Sequence, residues 1–116
     1  MADEDTIFDQ ILRGDIPSEA VHEDDDVYAF KDINPQAPVH VLVIPKHKMK
    51  SFADVKETDP TAVARFMQGI SRVAEKLDLE QNGYRVVFNT GPQAQQSVQY
   101  LHAHIIGGRQ MSWPPG

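Results

Sequence analysis

The sequence predicts an α+β domain, on three observations. A long amphipathic period runs from Asp59 to Leu77, short runs rich in β-branched residues flank it on both sides, and the links between those runs suit antiparallel pairing better than parallel crossovers. At 116 residues the chain fits one compact domain, so 1–116 is expected to form a single unit with 107–116 as an irregular tail.

Each element has a local cause. In "DTIFDQILRGDIPS", Ile7, Phe8, Ile11 and Leu12 stand at helical spacing behind Asp5 as the expected N-cap, and Gly14 and Pro17 end the helix. "EAVHEDDDVYAFKDI" predicts two short strands around a solvated acidic turn, because adjacent carboxylates repel. "NPQAP" is a bend, since Pro35 and Pro38 lack amide donors and fix φ. "VHVLVIPK" then reads as an interior strand, apolar on both faces except at His40.

Pro60 opens the long helix, whose Val63, Phe66, Met67, Ile70, Val73 and Leu77 form the expected core stripe. Arg65, Arg72, Glu75 and Lys76 fall largely off that stripe. Asn82 and Gly83 turn the chain into the strand "YRVVFN", and "TGPQAQQS" is a polar loop. "QSVQYLHAHIIGG" predicts the last strand, and "GGRQMSWPPG" after it carries the single Trp.

Composition excludes several classes. With 17 acidic against 11 basic residues the net charge is -6, which opposes generic binding to nucleic acid or an anionic membrane. The absence of cysteine removes disulfides and thiolate zinc sites. "MADEDTIFDQ" lacks the basic and apolar regions of a secretory signal, no apolar run approaches the ~20 residues that span a bilayer, and a cytoplasmic location is the expectation. No P-loop, dinucleotide fingerprint, serine elbow or His-Glu-x-x-His helix occurs.

Chemistry concentrates in the last strand. Alternation places Tyr100, His102 and His104 on one face, with the two imidazoles about 6.5–7 Å apart by strand rise. Three readings stand open: half-buried structural histidines, a three-histidine metal site completed by His40, or phosphoryl chemistry. In the third, a neutral imidazole attacks phosphorus while a second, protonated one holds an oxygen or the leaving group. The loop "NTGPQAQQS" would surround a phosphate with neutral donors. His22 and His47, amid charged residues, are expected on the surface.

"TIFDQILRGDIPSEAV", "DINPQAPVHVLVIPK" and "QSVQYLHAHIIGGRQMSWPPG" together resemble the histidine triad (HIT) superfamily, in particular its Hint branch. The resemblance runs in order over nearly the whole chain. It implies an antiparallel sheet with a short N-terminal helix and one long central helix, pairing with a second subunit as a homodimer. The activity it implies is hydrolysis of purine nucleoside phosphoramidates and acyl-adenylates through a nucleotidyl-histidine, with no cofactor or metal. The alternative is a purine-nucleotide-binding or scaffolding module with little turnover.

By the same resemblance His102 falls on the nucleophile, His104 on the phosphate contact and His40 on a supporting histidine, with Ser97 near the leaving group. Phe8, Ile11, Phe30 and Ile33 would form the purine pocket, Asp32 would hold the ribose, Asn89, Gln96 and Ser97 would meet the phosphate and leaving group, and Trp113 would reach the partner's site. Two positions depart from the family pattern. Gln95 stands where glycine is usual, and Tyr100 takes the place of the first histidine. The expectation is that this first position works through its backbone carbonyl, which Tyr supplies as well as His.

Overall fold

The computed structural model describes residues 4–116, so the first three residues of "MADEDTIFDQ" lie outside the described residues. The elements follow as α1 (Ile7–Arg13), β1 (Ala20–Glu23), β2 (Val27–Lys31), β3 (Val39–Pro45), a 3₁₀ turn (Phe52–Glu57), α2 (Pro60–Lys76), β4 (Tyr84–Val87), a second 3₁₀ turn (Pro92–Ala94) and β5 (Ala103–Gly107). The strands form one antiparallel sheet in the order β1-β2-β3-β5-β4. The α+β expectation holds, and β3 lies at the centre as its two apolar faces required.

α2 packs on one face of this sheet. Phe66, Ile70 and Val73 are buried against Val27, Val41, Val43, Leu101, Ala103 and Ile105 in the larger core. Met67, expected in that stripe, is instead 50% exposed, because the period drifts past the width of the face the sheet can cover. The second face carries a smaller core of Phe8, Phe30, Leu42, Ile44 and Tyr100, covered by α1.

Three local expectations need correction. The N-cap of α1 is Thr6, not Asp5: the Thr6 hydroxyl accepts from the Asp9 amide at 3.2 Å and the Asp9 carboxylate accepts from the Thr6 amide at 2.8 Å. Asp5 pairs with Arg13 instead. The acidic turn is a hairpin tip but is not simply solvated. Arg72 of α2 reaches Asp24 and Asp26, and His22, expected on the surface, is half-buried with Nε2 at 2.8 Å from Asp24. Burial opposes ionisation of Asp24, but bonds from His22, the Asp26 and Val27 amides and Arg72 outweigh it and hold its carboxyl far below the usual range. His47 is exposed as expected.

The last strand is also shorter than its apolar run. Only Ala103–Gly107 joins the ladder, because the Leu101 amide donates to Met49 O at 2.7 Å, in the link after β3, and so leaves the sheet.

α2 can approach β2 closely because Gly69 faces it: a Cβ built there lies 2.4 Å from Val27 Cγ1. Gly69→Ala is therefore expected to destabilise the fold by about 1–3 kcal/mol through overpacking, although alanine is the better helix former. Urea denaturation measures this, and an unchanged midpoint would show that the contact yields freely.

Candidate active site

The histidines gather on the sheet face that α1 covers only in part. β3 and β5 pair with Leu42 opposite His104 and His40 opposite Ile106, so His40 and His104 project from the same face as diagonal neighbours. Their ring centroids lie 5.2 Å apart, and those of His102 and His104 lie 5.1 Å apart. His102 precedes the ladder, yet alternation persists through the extended segment. Leu101 and Ala103 join the α2 core while Tyr100 joins the α1 core.

The groups around each ring decide where its proton sits. The Gln36 amide donates to His40 Nδ1 at 3.0 Å, so a neutral His40 carries its proton on Nε2. That nitrogen is 2.9 Å from His104 Nδ1 and 3.3 Å from Asp32 Oδ2, both able to accept. His104 then keeps its own proton on Nε2. His102 Nδ1 lies 2.7 Å from the Tyr100 carbonyl oxygen, which only accepts, so the His102 lone pair is on Nε2.

Neither His102 Nε2 nor His104 Nε2 has a hydrogen-bond partner among the described residues, while no buried side-chain nitrogen or oxygen there is unsatisfied. Both nitrogens therefore reach solvent, one as an acceptor and one as a donor. That pair can meet a single tetrahedral ligand, the lone pair at its centre and the N–H at an oxygen.

Burial keeps the rings neutral. It pushes His102 below the ordinary histidine value, against the pull of the Tyr100 carbonyl and the Asp32 charge. His104 is pushed down to about 4 by burial first and then by repulsion from His102 and His40. The protonated second imidazole of the sequence reading is thus corrected for the free protein: at pH 7 His104 offers a neutral N–H.

Tyr100 is 1% exposed and its hydroxyl donates to Pro45 O at 2.6 Å, directed into the core. Burial raises its phenol well above the usual range, so it stays un-ionised at neutral pH. Phe8, expected in the purine pocket, is 6% exposed and lies edge-on beneath His102, with ring centroids 4.9 Å apart. It supports His102 from within the smaller core.

An open depression of about 370 Å³ does bring together Ile11, Phe30, Asp32 and Ile33, beside Pro17, Ser18, Glu19 and Lys31. Ile33 is fully exposed on its rim. Asp32 does more than face this depression, since Oδ1 accepts from the Asn34 amide at 2.8 Å while Oδ2 faces His40.

The β4–β5 loop is a correction for one residue and an explanation for another. Gln96 accepts from the Gly91 amide at 3.1 Å and donates to Lys50 O and Val98 O, so its side chain braces the loop and leaves no free donor for the expected phosphate contact. Gln95 has φ 61° and ψ 39°, the left-handed region that glycine enters without cost. Ser97 is exposed and Asn89 half-buried in the same loop region. Trp113 is 80% exposed, with the Arg85 guanidinium 6.0 Å from its ring centre.

His102 is not part of the metal-competent group among the described residues, so the expected three-histidine set is not the one that converges. Asp32, His40 and His104 converge in its place, each offering a donor atom within 4.8 Å of the others. Sequence reasoning missed the Asp32–His40 pair and the Gln36 amide. The Asp-x-Asn spacing before Pro35, which favours a side-chain-to-backbone turn, was the available signal.

The HIT domain profile matches residues 13–111. The chain belongs to the HIT domain family. It is 46% identical to "Adenylylsulfatase HINT1" of Arabidopsis thaliana, over 99% of this chain and 79% of that protein, which places it in the Hint-like branch. It is 47% identical to a "14 kDa zinc-binding protein" of Zea mays, over 98% of this chain and 90% of that one. A HIT family hydrolase of Legionella pneumophila shares its structure with a TM-score of 0.88 at 42% identity, over 95% of this chain and 98% of the other.

Because the folded state favours neutral His102 and His104, the unfolded chain takes up protons that the folded one refuses as pH falls below about 6.5. Stability is full above pH 7 and falls between pH 6.5 and about 4, the value to which His104 is pushed down. Between pH 7 and 5 the loss from His104 is expected on the order of 1–2 kcal/mol, and His104→Asn should flatten the slope. Urea titrations at the two pH values check this, and an equal slope in the variant would refute the assignment.

Proposed function

We propose that this HIT domain is a hydrolase of purine nucleoside phosphoramidates and acyl-adenylates that works through a nucleotidyl-His102 intermediate. The observation that carries the reading is the pairing of opposite roles at two exposed nitrogens, the His102 Nε2 lone pair beside the His104 Nε2–H. The name of the Legionella relative supports hydrolysis, and that of the Arabidopsis relative supports an adenylyl substrate.

His102 Nε2 attacks the α-phosphorus in line, the P–N bond breaks and the nucleotide is left on nitrogen. Ser97 protonates the departing amine and regains a proton from the water that enters next. That water cleaves the P–N bond to His102, releasing the monophosphate and the free imidazole. His104 donates to an equatorial oxygen throughout, and its tautomer is fixed by His40. Neutral donors suit a chain of net charge -6, since they stabilise developing charge without a basic patch. Ile11, Phe30 and Ile33 take the purine and Asp32 the ribose in the depression they line.

A second reading has its own observation. Asp32, His40 and His104 fit a three-donor set for a divalent cation, and the maize relative is named for zinc. A cation held there would supply Lewis-acid polarisation and would displace the proton between His40 and His104. A homodimer is also part of the proposal, with the exposed Met67, Phe52 and Val86 as apolar surface available to a second copy. Cytoplasmic residence completes it; among the described residues no helix is long and apolar enough to cross a membrane.

Incubation of chelator-dialysed protein with an adenosine phosphoramidate, with AMP release followed by chromatography, tests the reading. Turnover should persist without metal and fall at least about a thousandfold in His102→Ala. AMP binding without turnover would favour the binding module, and activity regained only with zinc would favour the cation. Light scattering of the same preparation should give about twice the 13.0 kDa of one chain, and a monomer would overturn the homodimer.

A further inference from the structure

We propose that the Tyr100 side chain is a positioning residue for His102, acting through the peptide unit that joins Tyr100 to Leu101. This rests on the assignment of His102 as nucleophile above and deepens it. The carbonyl that holds His102 Nδ1 and the amide of Leu101 belong to one planar group, so neither turns without the other. The amide donates to Met49 O at 2.7 Å, and the carbonyl accepts from His102 at 2.7 Å, so the plane is held from both edges.

The phenol supplies a third hold on the same segment. Its hydroxyl donates to Pro45 O at 2.6 Å, which ties Tyr100 to the last residue of β3, where the link that carries Met49 O begins. The ring is wedged as well. Phe8 packs edge-on against it with centroids 6.3 Å apart, and the Lys48 ammonium lies 5.3 Å from its centre. Lys48 is fixed in turn by Asp9 at 2.9 Å and by Glu4 O at 2.8 Å.

Phe8 also meets His102, their ring centroids 4.9 Å apart and the planes close to perpendicular. Tyr100 therefore sets both supports of the nucleophile: the carbonyl that selects its tautomer and the aromatic ring on which it rests. A residue whose only duty was its backbone carbonyl would not need a buried hydroxyl with a dedicated acceptor. The loss of a first histidine is answered here by an anchor in the core.

Tyr100→Phe removes the hydroxyl and keeps the ring. The expected result is a kcat lowered about five- to twentyfold with KM within about twofold, because orientation of the attacking nitrogen is lost and nucleotide binding is not. Nitrogen-15 NMR of the free variant should show His102 moving from the pure Nδ1–H form toward a mixture of tautomers. Val73→Ala, on the buried face of α2 in the larger core, is the control for general destabilisation and should leave kcat and the His102 signals near the wild type.

Wild-type kcat and unchanged His102 nitrogen shifts in Tyr100→Phe would overturn the proposal, whatever its effect on melting. Equal disturbance by Val73→Ala would overturn it too. If the wild type turns over no phosphoramidate, the functional reading fails, while the NMR comparison still decides the positioning role. If Tyr100→Phe does not fold, the wild-type hydroxyl proton must appear as a slowly exchanging resonance, and its absence overturns the anchor.

Discussion

The antiparallel register of β3 and β5 places Leu42 opposite His104 and His40 opposite Ile106, and the site depends on that pairing. A slip of one residue would send one of the two histidines through the sheet, into the apolar face beneath α2. There it would meet Val73 and Ala74, which offer no partner to an imidazole nitrogen. Burial of Val41, Val43, Ala103 and Ile105 on the α2 side thus fixes the chemistry on the other side. The hydrophobic core sets the register, and the register sets which rings meet.

The second constraint is the size of α1. Seven residues make a helix about 10 Å long, while five strands side by side are about 19–24 Å across. α1 therefore covers only part of the face, over Phe30, Leu42, Ile44 and Tyr100, and leaves His104 partly open while His40 and His102 are buried. The burial of His102 and the partial burial of His104 follow from this geometry. That burial is enough to keep His102 and His104 neutral and not so complete that Nε2 of either is sealed from a ligand.

Electrostatics then separates two rings that the sequence presents as near equivalents. Both are held neutral by desolvation, and the difference between them lies in their neighbours. His102 meets a carbonyl that can only accept, and His104 meets a histidine that its own backbone neighbour has made a donor. One ring so becomes a lone pair and the other an N–H. The chain Gln36–His40–His104 does with neutral hydrogen bonds what a cationic side chain would do less selectively in an acidic protein.

Much of this was legible in local pattern. The 3.6-residue period named α2 and most of its buried stripe, alternation named the shared face of Tyr100, His102 and His104, and proline and glycine marked the bends. Met67 escaped because a period tells which residues share a face but not how wide the opposing surface is. Gln96 escaped because residue type does not say whether a side chain meets a ligand or braces its own loop. Residue type and spacing by themselves determined that two histidines would stand together on one face of an α+β domain. Which nitrogen of each carries the proton was decided only by tertiary structure, since His40 meets His104 across 64 residues of chain and Tyr100 meets Pro45 across 55. A tautomer is set by the partner at hydrogen-bond distance, and no local period of the sequence reaches that far.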